Sequence, residues 1–282
     1  MDIQAGPFLK WAGGKAKQTA DIAQILLEGD ANRRVDTYYE PFLGGGAVFW
    51  YLAAHNKFKN AVLNDSNHEL MDTYRVVRDF PDDLIQGLKD LEGLYSSSPQ
   101  FTYDFWKAKD PLTIDPIARA VRMILLNKTG FNGLYRINGS GIFNVPWGKK
   151  PRARLFQEST LRACSEVLNR CVSLRSTDFV SAVADARPND AVYFDPPYMP
   201  TSRTASFTGY TKRGFTKEDQ VRLAGLFRAL ATQGVSVALS NADLPAVREI
   251  YAGCNMHEVE ARRAINCDGA KRGPVRELVI YG

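Results

Sequence analysis

Short apolar strands alternate with amphipathic helices at both ends of this chain. That alternation restricts the fold to an α/β class, a mostly parallel sheet with helices on both faces. The pattern predicts a helix over Ala16–Leu27, with Ile22, Ala23, Leu26 and Leu27 on one apolar face, and a strand over Val35–Tyr39 running into a glycine-rich turn. A helix Ala47–His55, a short strand Ala61–Asn64 and a helix Leu70–Arg78 follow. Alternation resumes with a helix Thr160–Asn169, strands Val172–Leu174 and Ala191–Phe194, a helix Thr216–Thr232 and a strand Val235–Leu239, closing on strands near Val259 and at Leu278–Ile280. Between the halves, strands give way to helices over Asp83–Tyr95 and Ile117–Asn127, with Ser96–Pro99 as a loop. A Gly- and Asn-rich segment, Gly130–Gly148, comes next, and its apolar pieces flank Asn138-Gly139-Ser140-Gly141, a hairpin signal. The expected organisation is a catalytic domain from residues 1–68 and 156–282, interrupted by a mainly helical insertion, 69–155, that carries a β-hairpin.

The charge distribution says more than the net value of +5. From Pro116 to Gln157 there is no acidic residue, and Arg119, Arg122, Lys128, Arg136, Lys149, Lys150, Arg152 and Arg154 give that stretch +8. A second acid-free stretch, Met199–Lys217, holds Arg203, Lys212, Arg213 and Lys217; a third basic cluster holds Arg262, Arg263, Lys271, Arg272 and Arg276. A single such run is usually a solvated face, but three, interleaved with polar and aromatic residues, point to a polyanion partner. The four cysteines and three histidines are scattered without metal-ligand spacing, so no metal is expected and the thiols read as reduced. No apolar run approaches the length of a membrane span, and Met1-Asp2-Ile3-Gln4 lacks the marks of a secretory signal, so the expected location is the cytoplasm.

The sharpest chemical signal is Asp195-Pro196-Pro197-Tyr198, directly after the apolar strand Val192-Tyr193-Phe194. Open α/β sheets bind ligands at the carboxyl ends of strands. Two prolines fix the backbone and remove two N–H donors, leaving carbonyls free to accept. A carboxylate, a fixed carbonyl and an aromatic ring together suit an exocyclic amine on a planar base: the acceptors take its hydrogens and the ring stacks on its face. Taken alone, the same four residues fit a strand ending in a proline turn. The second signal is Glu40-Pro41-Phe42-Leu43-Gly44-Gly45-Gly46, where glycines permit close approach to a ligand at a helix N-terminus. It is neither a phosphate-binding Walker loop nor the dinucleotide fingerprint, since Phe49 occupies the place of the last glycine. Asp65, closing the next strand, suits the ribose hydroxyls of an adenosine group; equally, Asp65 or Ser66 could cap the following helix. Phe8–Lys15 adds Trp11 and Lys15 around two glycines, a wall and a charge over a ligand, or a helix start.

These motifs, in this order and over nearly the whole chain, resemble the Dam-type DNA adenine-N6 methyltransferases. The resemblance implies a Rossmann-like methyltransferase sheet and transfer of a methyl group from S-adenosylmethionine to adenine N6. It implies that Trp11, Lys15, Phe42, Gly44, Asp65 and Asp195 contact the cofactor, with Phe179 packing near its adenine. Asp195, Pro196, Pro197 and Tyr198 would form the catalytic turn. Lys128–Arg136 followed by Phe143-Asn144-Val145-Pro146 resembles the family's DNA-reading hairpin. By that likeness Asn132, Leu134, Arg136, Pro146, Lys149 and Lys150 contact DNA, with Arg136 reading guanine. Ile142 stands where the family usually has an acid, and the basic run Lys149-Lys150-Pro151 is short. Ser206-Phe207-Thr208-x-Tyr210 with Gly214-Phe215 resembles the loop that closes over a flipped base, and Ser240-Asn241-x-Asp243 also fits.

The expected partner is double-stranded DNA, read at GATC, with the target adenine flipped out of the stack. A cognate restriction endonuclease could accompany the enzyme, in a restriction-modification pair, and a monomer is expected. Two other readings stand beside this one. RNA or protein-amide methyltransferases share a related Pro-Pro-Tyr turn, usually with Asn in place of Asp195. A non-catalytic DNA-binding module would keep the basic hairpin but has no need of the Asp195–Tyr198 turn or the cofactor loops.

Overall fold

The computed structural model describes residues 5–11, 15, 18–138, 140–198, 214–262 and 274–282. Seven strands form one sheet: β1 (Val35–Glu40), β2 (Phe58–Asn64), β3 (Val172–Arg175), β4 (Ala191–Phe194), β5 (Ser236–Ala242), β6 (Asn255–Arg262) and β7 (Pro274–Tyr281). Their order is β3-β2-β1-β4-β5-β7-β6, and β7 alone runs antiparallel, to both β5 and β6. This is the expected Rossmann-like mixed sheet. Its order reverses between β1 and β4, which opens a crevice at their carboxyl ends, the place where such sheets bind ligands. All of β4 and β5 is buried; β4 reads as a continuous apolar run, whereas β5 carries Ser236, Ser240 and Asn241 inside.

The helices follow the expected pattern with shifted ends. Before the middle segment come α1 (Thr19–Leu26), α2 (Ala47–Ala54) and α3 (His68–Asp79). Asn67 caps α3, its side chain accepting from Leu70 N at 3.1 Å, so the cap lies beyond Asp65 and Ser66. In the middle segment α4 (Pro81–Ser97) runs through the serines expected to form a loop, and α5 (Pro99–Ala108) starts one residue later. Pro99 is the cause, since its fixed φ suits the first turn of a helix and it lacks only an N–H that would have no helical partner. Next comes α6 (Pro116–Thr129), capped by Asp115, which accepts from Ile117 N and Ala118 N at 3.0 Å each. The hairpin forms in short pieces, bridged at Gly130–Trp147 and Ile137–Phe143, with Asn144 N donating to Arg136 O at 3.0 Å. After it lie α7 (Glu158–Cys171), α8 (Phe179–Ala182), α9 (Lys217–Thr232) and α10 (Pro245–Ile250). No helix among the described residues is long and apolar enough to cross a membrane.

One apolar cluster joins the sheet to the middle segment, running from Val35, Phe49 and Leu63 through Tyr74 and Val77 to Leu88, Ile124 and Phe143. Helix α6 is its axle: it packs on α3, α4 and α5, and its residues Ala120–Asn127 are all buried. Among them is Arg122, 2% exposed, whose guanidinium pairs with Glu69 (9% exposed) at 2.5 Å and donates to Trp106 O at 3.0 Å. Removing one partner of such a pair strands the other charge in the core. Arg122→Leu is expected to cost about 3–5 kcal/mol of stability, read from the urea unfolding midpoint and slope. A loss below about 1 kcal/mol, the range of an exposed ion pair, would show that Glu69 regains water and that the pair is not a core element.

Candidate active site at the carboxyl ends of the parallel strands

Three loops leave the sheet side by side, and one buried side chain joins them. Asn64, at the end of β2, donates from Nδ2 to Pro41 O (3.0 Å) and Thr177 O (3.1 Å) and accepts at Oδ1 from Thr177 N (2.8 Å). Its carbonyl accepts from Leu43 N at 2.9 Å. The loops after β1, β2 and β3 are thereby tied together. Asp65, half-buried, continues the join: Oδ2 accepts from Gly44 N at 3.0 Å and Oδ1 from Asn67 N at 2.9 Å. Burial raises its carboxyl above the ordinary value, and the two N–H bonds oppose that rise.

The turn after β1 needs its glycines. Gly44 has φ +49°, and a Cβ there would fall 2.5 Å from Trp11 Cδ1, so the indole lies directly on the loop. Gly46, φ +66°, precedes α2 and brings no side chain to cap it. Glu40 does so from the strand: its Oε2 accepts from Phe49 N at 3.0 Å and from Tyr38 OH at 2.7 Å. Burial pushes the Glu40 carboxyl from 4.5 up to about 8, against the lowering effect of the Tyr38 bond. Next to this loop Phe42 packs on Phe179 (5.5 Å between centroids) and Phe215 (5.6 Å), and the Arg222 guanidinium lies 4.4 Å over Phe179.

The Asp195–Tyr198 turn follows β4 on the same rim. Lys15 Nζ sits 2.9 Å from Asp195 Oδ1, with the lysine side chain 4% and the aspartate 23% exposed. Burial raises the Asp195 carboxyl, Lys15 pulls it back down, and the charge of Glu277 pushes it up again. The Pro197 carbonyl accepts from Gln220 Nε2 (3.0 Å), and Gln220 Oε1 in turn accepts from Asn241 Nδ2 (3.2 Å), so the Ser240-Asn241 segment serves to hold the turn. Tyr198 has Lys15 Nζ 4.9 Å from its ring centroid and donates from its hydroxyl to Glu277 Oε2 at 3.2 Å.

Sequence reasoning singled out Trp11, Lys15, Phe42, Gly44, Asp65, Phe179 and the turn Asp195, Pro196, Pro197, Tyr198, and the fold brings all of them to one rim. It did not single out Glu277, Gln220 or Gln18; the one visible signal was an acid set directly before the apolar run Leu278–Ile280. The hairpin residues lie beside the rim. Asn132, with φ +54°, is exposed, Leu134 is half-buried and Pro146 is exposed. Arg136 Nε donates to Asn144 Oδ1 across the hairpin at 2.8 Å. Lys149 is exposed, whereas Lys150 Nζ donates to Lys128 O (3.2 Å) and Gly130 O (3.1 Å) at the end of α6. The Tyr135 ring stacks on Trp11 at 5.8 Å, joining hairpin to cofactor loop. The segment Ser206–Tyr210, residue Gly139, and Arg263, Lys271 and Arg272 lie outside the described residues. Among the described residues no group of three His, Cys, Asp or Glu is placed to hold a metal ion.

The family described as D12 class N6 adenine-specific DNA methyltransferase matches residues 11–265, and this chain belongs to it. It is an adenine-specific DNA methyltransferase. The chain is 40% identical to the Type II methyltransferase M.MjaIII of Methanocaldococcus jannaschii, over 99% of each chain. It is 37% identical to the Type II methyltransferase M1.LlaDCHI of Lactococcus lactis subsp. cremoris, over 99% of this chain and 97% of that one. To the DNA adenine methylase of Escherichia coli K12 it is 35% identical, over 96% and 93%.

Glu40 makes the site's scaffold sensitive to pH. Between its ordinary 4.5 and about 8 the folded protein holds a proton that the unfolded chain has lost, so stability falls as pH rises through that window. The limiting slope is about 1.4 kcal/mol per pH unit. Glu40→Gln, which still offers an acceptor to Tyr38 and Phe49, is expected to remove this component. Melting temperatures of the two proteins from pH 5 to 8 should converge at the acid end and separate in favour of the variant at the other. Parallel curves would place the Glu40 proton elsewhere.

Proposed function

We propose that this enzyme transfers a methyl group from S-adenosylmethionine to the N6 amine of an adenine flipped out of duplex DNA, within GATC. The observation that carries the reading is the convergence, on one rim, of the Trp11–Gly44 cradle with the Asp195–Tyr198 turn. The residues fit the cofactor: Gly44 and Gly45 leave space that a Cβ would fill against Trp11, Phe42, Phe179 and Phe215 form an apolar aromatic cluster for a planar base to pack on, and Lys15 and Asp65 offer opposite charges. When bound, S-adenosylmethionine supplies an electrophilic methyl on a sulfonium sulfur.

The chain's own residues prepare the amine. Lys15 pairs with Asp195 at Oδ1, the Asp195 carboxylate accepts one N6 hydrogen, and the Pro196 carbonyl accepts the other. Two acceptors draw the amine from planarity and localise its lone pair, which otherwise spreads into the ring. Tyr198 supplies the stacking face that offsets part of the cost of extrusion, a few kcal/mol. Arg136, within the acid-free hairpin, reads a guanine, and Lys149 meets phosphate. Residues 69–155 form the DNA-facing insertion in this reading. One flipped base needs one copy of the chain, so the enzyme acts as a monomer, in the cytoplasm. The likeness to Type II methyltransferases supports a cognate endonuclease reading the same site.

Two measurements test this. In calorimetry with S-adenosylmethionine, Lys15→Ala and Asp65→Ala are each expected to weaken binding by about 1.5–3 kcal/mol; unchanged affinity in both removes these residues from the cofactor site. Methylation sequencing of treated DNA should place the wild-type mark on adenines in GATC. Arg136→Ala should relax preference at one guanine by about 1–3 kcal/mol, and Lys149→Ala should weaken all sites alike and flatten the salt dependence. Modification outside GATC at equal rates would overturn the specificity, and an even loss over every site in Arg136→Ala would make that arginine a backbone contact.

A further inference from the structure

Strand β7 pairs antiparallel with β5, and Glu277 lies opposite Ala242 at the end of that register. An acid is thereby carried from the end of the chain to the rim where the parallel strands stop. Glu277 Oε2 accepts there from the Tyr198 hydroxyl at 3.2 Å and from Gln18 Nε2 at 3.3 Å. Gln18 precedes α1, is 7% exposed, and its Oε1 is buried without a hydrogen-bond partner among the described residues. The tyrosine is held at two points, with the Lys15 ammonium 4.9 Å from the ring centroid and Glu277 at the hydroxyl. A half-buried carboxylate beside Asp195 costs solvation, and the bonds from Tyr198 and Gln18 offset that cost.

A stacking surface works only if its plane is set before the base arrives, since a ring free to turn must be ordered at the moment of reaction. We propose that Glu277 is a positioning residue for methyl transfer: by accepting from the Tyr198 hydroxyl it fixes the plane of the ring against which the extruded adenine stacks. The inference rests on Tyr198 being that surface, as argued above.

The test uses the full-length enzyme and a duplex that the wild type methylates. kcat and KM are measured for Glu277→Ala, Glu277→Gln, Tyr198→Phe and the Glu277→Ala/Tyr198→Phe double variant, with melting temperatures alongside. Loss of one such hydrogen bond should lower kcat about tenfold in Glu277→Ala, with KM for DNA and for cofactor little changed. Glu277→Gln, whose amide oxygen still accepts, should recover to within about twofold of the wild type. The double variant should be no slower than Tyr198→Phe, because the two groups act through one bond. Wild-type kcat in Glu277→Ala or in Tyr198→Phe overturns the proposal, as do losses that multiply in the double variant. Should Glu277→Ala fail to fold, Tyr198→Phe decides alone. The same duplex with 2-aminopurine at the target position separates the two ideas. If the wild type gives no fluorescence change on binding, the flipped-base reading fails. If the wild type gives the change and Glu277→Ala gives it unaltered in size and lifetime, base stacking stands and the role of Glu277 falls.

Discussion

A single buried amide, that of Asn64, ties together the loops after three strands, and the rest of the rim is built on that tie. Its two donors and its acceptor reach Pro41 and Thr177, while its own carbonyl takes Leu43 N. A buried amide left with unmade bonds is costly, so Asn64 is stable here only when all three loops are in place. Asp65 extends the same logic by one residue, fixing Gly44 and the first turn of α3 with one carboxylate. The glycine loop, the Asp65 turn and the start of the loop after β3 are thus set by one connected network rather than by each loop's own preferences.

A second network ties the middle segment to this rim. Glu69 pairs with Arg122 inside the core and accepts from the Tyr135 hydroxyl at 2.9 Å. Tyr135 neighbours Arg136 in the hairpin and stacks on Trp11, which lies on Gly44. Asn127 adds a parallel tie, with Lys10 N donating to its Oδ1 at 2.7 Å and its Nδ2 donating to Gly133 O at 3.3 Å. The hairpin lacks a continuous ladder of its own, so its shape is borrowed from these contacts. In the proposed reaction this matters, because an arginine that reads a base must be aimed by the same body that holds the cofactor.

What could be read in the sequence was whatever local chemistry dictates. The Asp195-Pro196-Pro197-Tyr198 turn and the Glu40–Gly46 loop stood out because prolines and positive-φ glycines leave few other conformations open. Strand β4 stood out because a fully buried strand can be written as an unbroken apolar run. Helix α5 was hidden, since a run of serines before a proline reads as a loop until the proline is seen to start the next helix. Asn67, rather than Asp65 or Ser66, caps α3 because Asp65 is already engaged with Gly44, a contact across two loops that spacing along the chain does not show. Glu277 and Gln18 were invisible for the same reason. They meet each other and Tyr198 only because β7 reverses direction beside β5 and brings the two ends of the chain to one edge.

The charges at the rim bear directly on the proposed chemistry. Attack on a sulfonium methyl moves positive charge from sulfur to N6, so the site must favour a cation where the amine was neutral. Lys15, 4% exposed, pairs with Asp195 at Oδ1, and parting the two would leave its ammonium buried without that carboxylate. Its ammonium favours the ionised Asp195 carboxyl and so opposes the burial effect that raises it. The remaining rise is useful, because a carboxylate with greater proton affinity is the stronger hydrogen-bond acceptor for an amine about to lose a proton. The charge of Glu277 adds less to that rise than burial does, so the acid placed by the reversed strand bears on the site chiefly through the Tyr198 hydroxyl.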